Sequence, residues 1–296
     1  MKVKRRKGKT MKKLIVSLTL LAGLGINASA LYFDGGLTGT TGPDYSGYKL
    51  NLRVGQGDFA LEPSLTTYKY DTAAYRNKTY RAYGLRGAWE KETYTVGAEA
   101  GTTPEVNGYK NIYAGADVTL SLTPTSGGKS RLAGPGARSV SGSGEGVTRV
   151  DVGASLKHTA HTQKVLTVER ETGQTEASLF AGAKVLMLNL SASFTGYTYG
   201  DEDATPQGFV PGLNFAVAAK PRSSVTARVD IPSTIPMITP FAGYTTTKYK
   251  GAKDSSAILL GGYVDLNMVV ANVAYQIYSQ GSNTDNFVSI GAGVKF

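Results

Sequence analysis

The 296-residue chain contains no cysteine, one tryptophan and two histidines. Without cysteine it has neither a disulfide framework nor a thiolate metal site, and the redox state of its surroundings does not reach its covalent structure. It also lacks a second long apolar run. Leu14 to Ile26 is the one such stretch, it falls short of the ~20 residues a spanning helix needs, and mean hydropathy is only −0.17. A helical membrane protein is excluded on that ground. The glycine-rich run Gly142-Ser143-Gly144-Glu145-Gly146 has neither the lysine nor the following helix that a phosphate loop requires.

The segment around that apolar run reads as an export signal. Lys2, Lys4, Arg5, Arg6, Lys7, Lys9, Lys12 and Lys13 precede it, and Ala28-Ser29-Ala30 follows as an A-x-A cleavage pattern. The expected organisation is a signal over residues 1–30 and one domain over 31–296. Met11-Lys12-Lys13 opens a complete signal by itself and offers a second start. The whole chain has 32 basic and 22 acidic residues. Removing the eight basic residues of the signal leaves 24 against 22, so the pI of about 9.5 gives no support to nucleic-acid binding.

What the mature part does have is glycine, tyrosine and alternation: 37 Gly, 18 Tyr and successive stretches of period two separated by turn residues. Tyr48-Leu50-Leu52-Val54 alternates with Lys49, Asn51 and Arg53. Ile112 to Leu122 alternates with Asn111 to Ser121, one face suited to lipid and the other to water. The last eleven residues are the clearest instance: Val288, Ile290, Ala292, Val294 and Phe296 share one face, and the strand ends on an aromatic residue. This strand resembles the closing strand of bacterial outer-membrane β-barrels. The resemblance implies that Val288, Ile290, Val294 and Phe296 form an assembly signal read by the barrel-assembly machinery, with outer-membrane lipid as surroundings.

The expected fold is therefore all-β: a transmembrane antiparallel up-and-down β-barrel of about 14 strands, with 12 to 16 admissible. Strands are expected over 31–39, 48–54, 59–70, 83–89, 94–100, 109–122, 150–156, 177–185, 188–194, 240–244, 258–264, 269–277 and 286–296. Residues 213–231 keep one phase but are interrupted by Pro221, so they read as one long strand or a hairpin. Tyr68 and Tyr70 are expected in an interfacial aromatic girdle, and residues 158–173 as a polar loop. With an even strand number both termini are periplasmic, which makes the loops near 200–208, 249–255 and 280–285 external and the turns at 186–187, 232–236 and 265–267 periplasmic. The Gly/Ser-rich stretch 124–146 is then a long periplasmic loop that is mobile or folds back into the barrel.

The inward positions implied by this phase carry Lys49, Arg53, Arg86, Arg149, Lys157, Lys184, Arg228 and Lys295 against Glu62, Glu99, Asp117, Asp151, Glu176 and Asp230. In an open lumen these charges set field and selectivity, and in a narrow one they pair across it. The expected function is a passive, porin-like channel for small hydrophilic solutes or ions, without cofactor or metal and with scope for homo-oligomers. The alternative is a closed structural or surface-binding barrel that works through loops at 71–78, 102–108 and 200–208. No enzyme is expected. His158 and His161, in Lys157-His158-Thr159-Ala160-His161-Thr162, lack both the His-x-Ser core of barrel lipases and the nearby Asp of barrel proteases.

Overall fold

The computed structural model describes residues 31–71, 78–123, 131–137, 149–165, 167–200, 204–232 and 237–296. The signal reading of 1–30 lies outside them. Among the described residues there are sixteen strands and no helix. They are β1 (Leu31–Gly42), β2 (Tyr45–Gln56), β3 (Phe59–Tyr70), β4 (Thr79–Glu90), β5 (Tyr94–Val106), β6 (Tyr109–Ser121), β7 (Arg149–Val165) and β8 (Val168–Val185), then β9 (Leu188–Tyr199), β10 (Gln207–Phe209), β11 (Ala216–Ala218), β12 (Lys220–Asp230), β13 (Ile238–Lys250), β14 (Ser255–Asp265), β15 (Val269–Gln280) and β16 (Asn283–Lys295). Fourteen of them close an antiparallel barrel, and β10 and β11 form a separate two-stranded sheet.

Alternation decides which way each side chain faces. In a soluble protein the apolar set would turn inward; here it turns out. Ile112, Leu179 and Ile290 are each 65% exposed, and every barrel strand places large apolar residues on the same outer face. An apolar surface continuous around the whole circumference has no stable place in water and suits a bilayer. The inner face carries the polar and charged partners, among them Arg86, Asp117 and Asp151, all buried. The seam joins β1 to β16 from Asp34↔Lys295 to Thr41↔Val288. Phe296 continues the closure, since its N–H donates to Phe33 O at 2.9 Å, Phe33 N–H donates to Phe296 O at 2.6 Å, and the two rings stack at 5.1 Å.

Three expectations about the course of the strands change. Residues 158–173 are strand, not loop: β7 and β8 stay in register out to Val165↔Val168. Their polarity misleads because the outer face there lies beyond the apolar band, while β-branched Thr159, Thr162, Thr172 and Thr175 keep the backbone extended. The expected loop at 102–108 shrinks to the turn Asn107-Gly108, whose φ angles of 52° and 77° fit the two-residue hairpin turn that Asn-Gly favours. Residues 213–231 are neither one strand nor a hairpin of the wall. Only Lys220–Asp230 pairs with the barrel, with β9 and β13 as neighbours, while 213–219 belongs to an inward segment that includes β11. One wall strand in this stretch keeps the number at fourteen.

Candidate functional site in the barrel lumen

Both ends of the lumen are narrowed by chain that leaves the wall and folds inward. At the end opposite Phe296, residues 204–219 turn in, with β10 paired to β11 from Gln207↔Ala218 to Phe209↔Ala216. Val210, Leu213, Phe215 and Ala216 are buried against a ring of inward aromatics that includes Tyr45, Tyr68, Tyr80, Tyr109, Tyr278 and Phe287. Phe215 stacks on Phe287 with ring centroids 3.9 Å apart and meets the edges of Tyr278 at 4.9 Å and Tyr45 at 6.0 Å. Gly212 makes the turn: its φ is +81°, and a Cβ there would lie 2.0 Å from Thr245 Oγ1, so glycine is the residue that fits beside Thr245 without strain. Tyr68 and Tyr70 belong to this interior cluster, not to an outer girdle. Their phase already points inward, opposite to that of Phe59 and Leu61.

At the Phe296 end, Arg131–Ala137 crosses part of the lumen. Arg131 is fully buried. Its guanidinium donates to Thr95 Oγ1 at 2.9 Å, to Glu92 O at 3.0 Å and to Lys91 O, and burial together with the neighbouring Arg149 lowers its pKa. Leu132 N–H donates to Asp151 Oδ2 at 2.8 Å. The expected inward fold of the 124–146 stretch thus holds for its described part. Glycine in the wall makes the space, since a Cβ on Gly182 would stand 2.5 Å from Leu132 Cβ and 3.0 Å from Leu132 C. Gly182→Val is expected to expel this turn and leave the barrel folded. Limited trypsin digestion in detergent checks it: cleavage after Arg131 accelerates relative to the unsubstituted protein.

Between the two segments lies a cavity of about 1170 Å³. Its lining runs from Tyr32, Asn267 and Lys295 at the Phe296 end to Gln207 and Phe209 on the underside of the β10–β11 hairpin. The sequence-derived charges fall on its wall or beside it, and most are neutralised locally. Arg53 pairs with Glu62 at 2.9 Å and with Glu90. Arg86 holds Asp117 through two bonds of 2.9 and 2.8 Å and Glu62 through a third of 3.0 Å. A Cβ on Gly97 would lie 2.5 Å from both Arg86 Nη2 and Asp117 Oδ1, so the pair lies directly over that glycine. Arg149 meets Asp151 at 3.1 Å, Lys157 meets Glu176 at 3.0 Å, Arg228 meets Asp230 at 2.7 Å, and Lys295 meets Asp265. Lys184 is half-buried opposite Asn189. Glu99 faces Arg86 across the β4–β5 pair. Lys49 lines the cavity with no carboxylate within 4 Å among the described residues.

Sequence reasoning missed Glu90, which falls between the strands expected over 83–89 and 94–100, and Asp265, which it placed in a turn, and it missed the buried role of His161. His161 Nδ1 is 2.8 Å from Tyr109 Oη, and Tyr109 in turn bonds both N and O of Gln207. Among the described residues no group of three or more His, Asp or Glu side chains is arranged to hold a metal ion.

The class defined by these features is a transmembrane antiparallel β-barrel with a polar interior. No protein-family model and no curated protein matches the chain. Solved structures do. The CymD monoaromatic hydrocarbon channel is 11% identical, with 90% of this chain and 88% of that one covered at a TM-score of 0.51. A bacterial polysaccharide outer membrane secretin is 11% identical over 90% and 98%, at 0.50. CdiB from Acinetobacter baumannii, at 11% identity and 0.49, is covered over only 60% of its length. At such identities the likeness to the first two is one of fold, the fold of outer-membrane barrels.

Proposed function

We propose that the protein is a passive channel of the bacterial outer membrane that passes small hydrophilic solutes or ions. The supporting observation is the pairing of an all-round apolar exterior with a polar, charge-lined cavity of about 1170 Å³. In this reading residues 1–30 are the export signal, the Phe296 end faces the periplasm, and no cofactor takes part. Lys49, Glu99 and the paired charges Arg53, Glu62, Arg86, Asp117, Arg149, Asp151, Lys184, Arg228 and Asp230 set ion preference. Pairing leaves that field weak, so selectivity between small cations and anions is modest. Single-channel recording of refolded protein in a planar bilayer tests the proposal. Small steps that scale with salt concentration are expected, and silence from protein shown to be folded would refute it.

A second reading, a closed barrel that works through its external surface, is favoured by the β10–β11 hairpin and its connection, whose apolar side chains Val210, Leu213, Phe215 and Ala216 pack against the inward aromatics. Silence in the bilayer would select it. The outward row Val288, Ile290, Val294 and Phe296 is, in either reading, the surface offered to the assembly machinery. Phe296→Ala is accordingly expected to lower the amount of folded protein in the outer-membrane fraction, measured by heat-modifiable mobility in gels; an unchanged amount would remove the assembly role.

A further inference from the structure

The inward segment at the upper lumen, the end opposite Phe296, is held in an unusual way. It forms its own short hairpin, and the fourteen wall strands pair only with one another. Attachment runs instead from wall side chains to the segment's main chain, and repeatedly to both polar groups of the peptide. Thr172 Oγ1 donates to Ala204 O at 3.1 Å and accepts from Ala204 N at 2.9 Å. Tyr109 Oη lies 2.9 Å from Gln207 O and 3.1 Å from Gln207 N. Gln276 uses its whole amide, Nε2 donating to Gly212 O at 2.8 Å and Oε1 accepting from Asn214 N at 3.0 Å. Tyr70 Oη donates to Ala216 O, and Tyr45 Oη accepts from Ala216 N at 3.4 Å.

Reading of N–H and C=O by side chains does not depend on the sequence being read; it recognises a peptide as a peptide. One position adds side-chain specificity. Phe215 is 5% exposed and fills a slot walled by Phe287, Tyr278 and Tyr45, a desolvated aromatic anchor surrounded by hydrogen bonds, as at binding hot spots. We propose that the upper lumen is a binding site for a peptide segment that carries an aromatic residue, and that residues 204–216 occupy it in cis. A peptide arriving from outside takes the same groups when the hairpin withdraws. The tether gives the internal segment an effective concentration of about millimolar, so an external peptide competes only at comparable concentration or against a weakened internal anchor.

The probe is a fluorescein-labelled synthetic peptide with the sequence of residues 204–218, added to full-length protein folded in detergent micelles and followed by polarisation. Phe215→Ala in the chain vacates the aromatic slot and leaves the wall intact. Saturable binding to this variant is expected, about tenfold or more tighter than to the unsubstituted chain. A peptide with alanine in place of Phe215 is expected to bind about tenfold or more weaker, and adding Gln276→Ala to the chain weakens binding again. No saturable binding to the folded Phe215→Ala chain, or equal binding of the two peptides, overturns the proposal. Should that variant not fold, amide exchange of the unsubstituted protein decides: millimolar peptide accelerates exchange at Gln207, Asn214 and Ala216, and unchanged exchange overturns it. Binding is read without any current, so this test stands apart from that of conduction.

Discussion

Phe215→Ala raises single-channel conductance severalfold, and a disulfide between Gly212→Cys and Thr245→Cys abolishes the gain until it is reduced. The expectation follows from how the hairpin is held. Its main-chain contacts with the wall are individual side-chain hydrogen bonds, each worth about 0.5–1.5 kcal/mol net, whereas truncating a buried phenylalanine costs about 3–5 kcal/mol. The aromatic contacts of Phe215 with Phe287, Tyr278 and Tyr45 are therefore the largest single contribution to docking. Without them the hairpin spends more time away from its seat, and the cavity opens upward. The disulfide is placed where an added Cβ on Gly212 already lies 2.0 Å from Thr245 Oγ1. The chain's lack of cysteine makes the pair free of competing thiols. A left-handed backbone at 212 costs the cysteine about 1–2 kcal/mol, against about 2–4 kcal/mol that a disulfide typically contributes. Bilayer recordings with and without reductant check both halves, and equal conductance in all forms would show that the hairpin is not the constriction.

Arg86→Met destabilises the barrel by about 3–5 kcal/mol, because it strands the buried carboxylate of Asp117 without its partner. Asp117 has a side chain only 3% exposed, and Glu62 is 20% exposed. Arg86 serves both, the former in a bidentate fork of the stronger, charge-assisted kind. Glu62 retains Arg53, so most of the loss belongs to Asp117. Adding Asp117→Asn is expected to recover a large part of it, which a mere loss of packing would not allow. The single tryptophan, Trp89, lies three residues beyond Arg86 on β4 and stacks at 5.6 Å on Phe59, its cross-strand partner on β3. Its fluorescence during urea unfolding in lipid bilayers reports the transition without a label. Equal midpoints for the single and double variants would mean that Arg86 matters through its volume and not its charge.

The wall of the barrel was legible because its physical signature is local. Period two sorts each residue to lipid or lumen from its own neighbours, and the inward parity of Lys49, Arg86, Asp117 and Asp151 needs no tertiary information. The pairing of those charges was not legible. Arg53, Glu62 and Arg86 converge from β2, β3 and β4, but only strand register brings them together. The same limit explains the inward segment. Leu213, Phe215, Val217 and Ala219 keep the alternation of a wall strand, and only the competition between pairing with β13 and burial against Tyr45 and Phe287 decides that they leave it. One signal was available: Tyr45, Tyr68, Tyr80, Tyr109, Tyr278 and Phe287 all fall in the inward phase near one end. So many rings aimed into a lumen call for something apolar to cover them.

The seat of Phe215 also fixes when it can be filled. Tyr45 comes from β2, Tyr278 from β15 and Phe287 from β16, residues at the two extremes of the described chain. They stand side by side because β1 pairs with β16. Phe287 and Tyr278 face Phe215 from the directly paired β16 and β15, so the seat without that seam lacks only its Tyr45 wall and is complete once the barrel has closed. Closure of the circumference and full docking of the inward segment are thus coupled through one ring, Tyr45, which joins the two ends of the described chain at that seat.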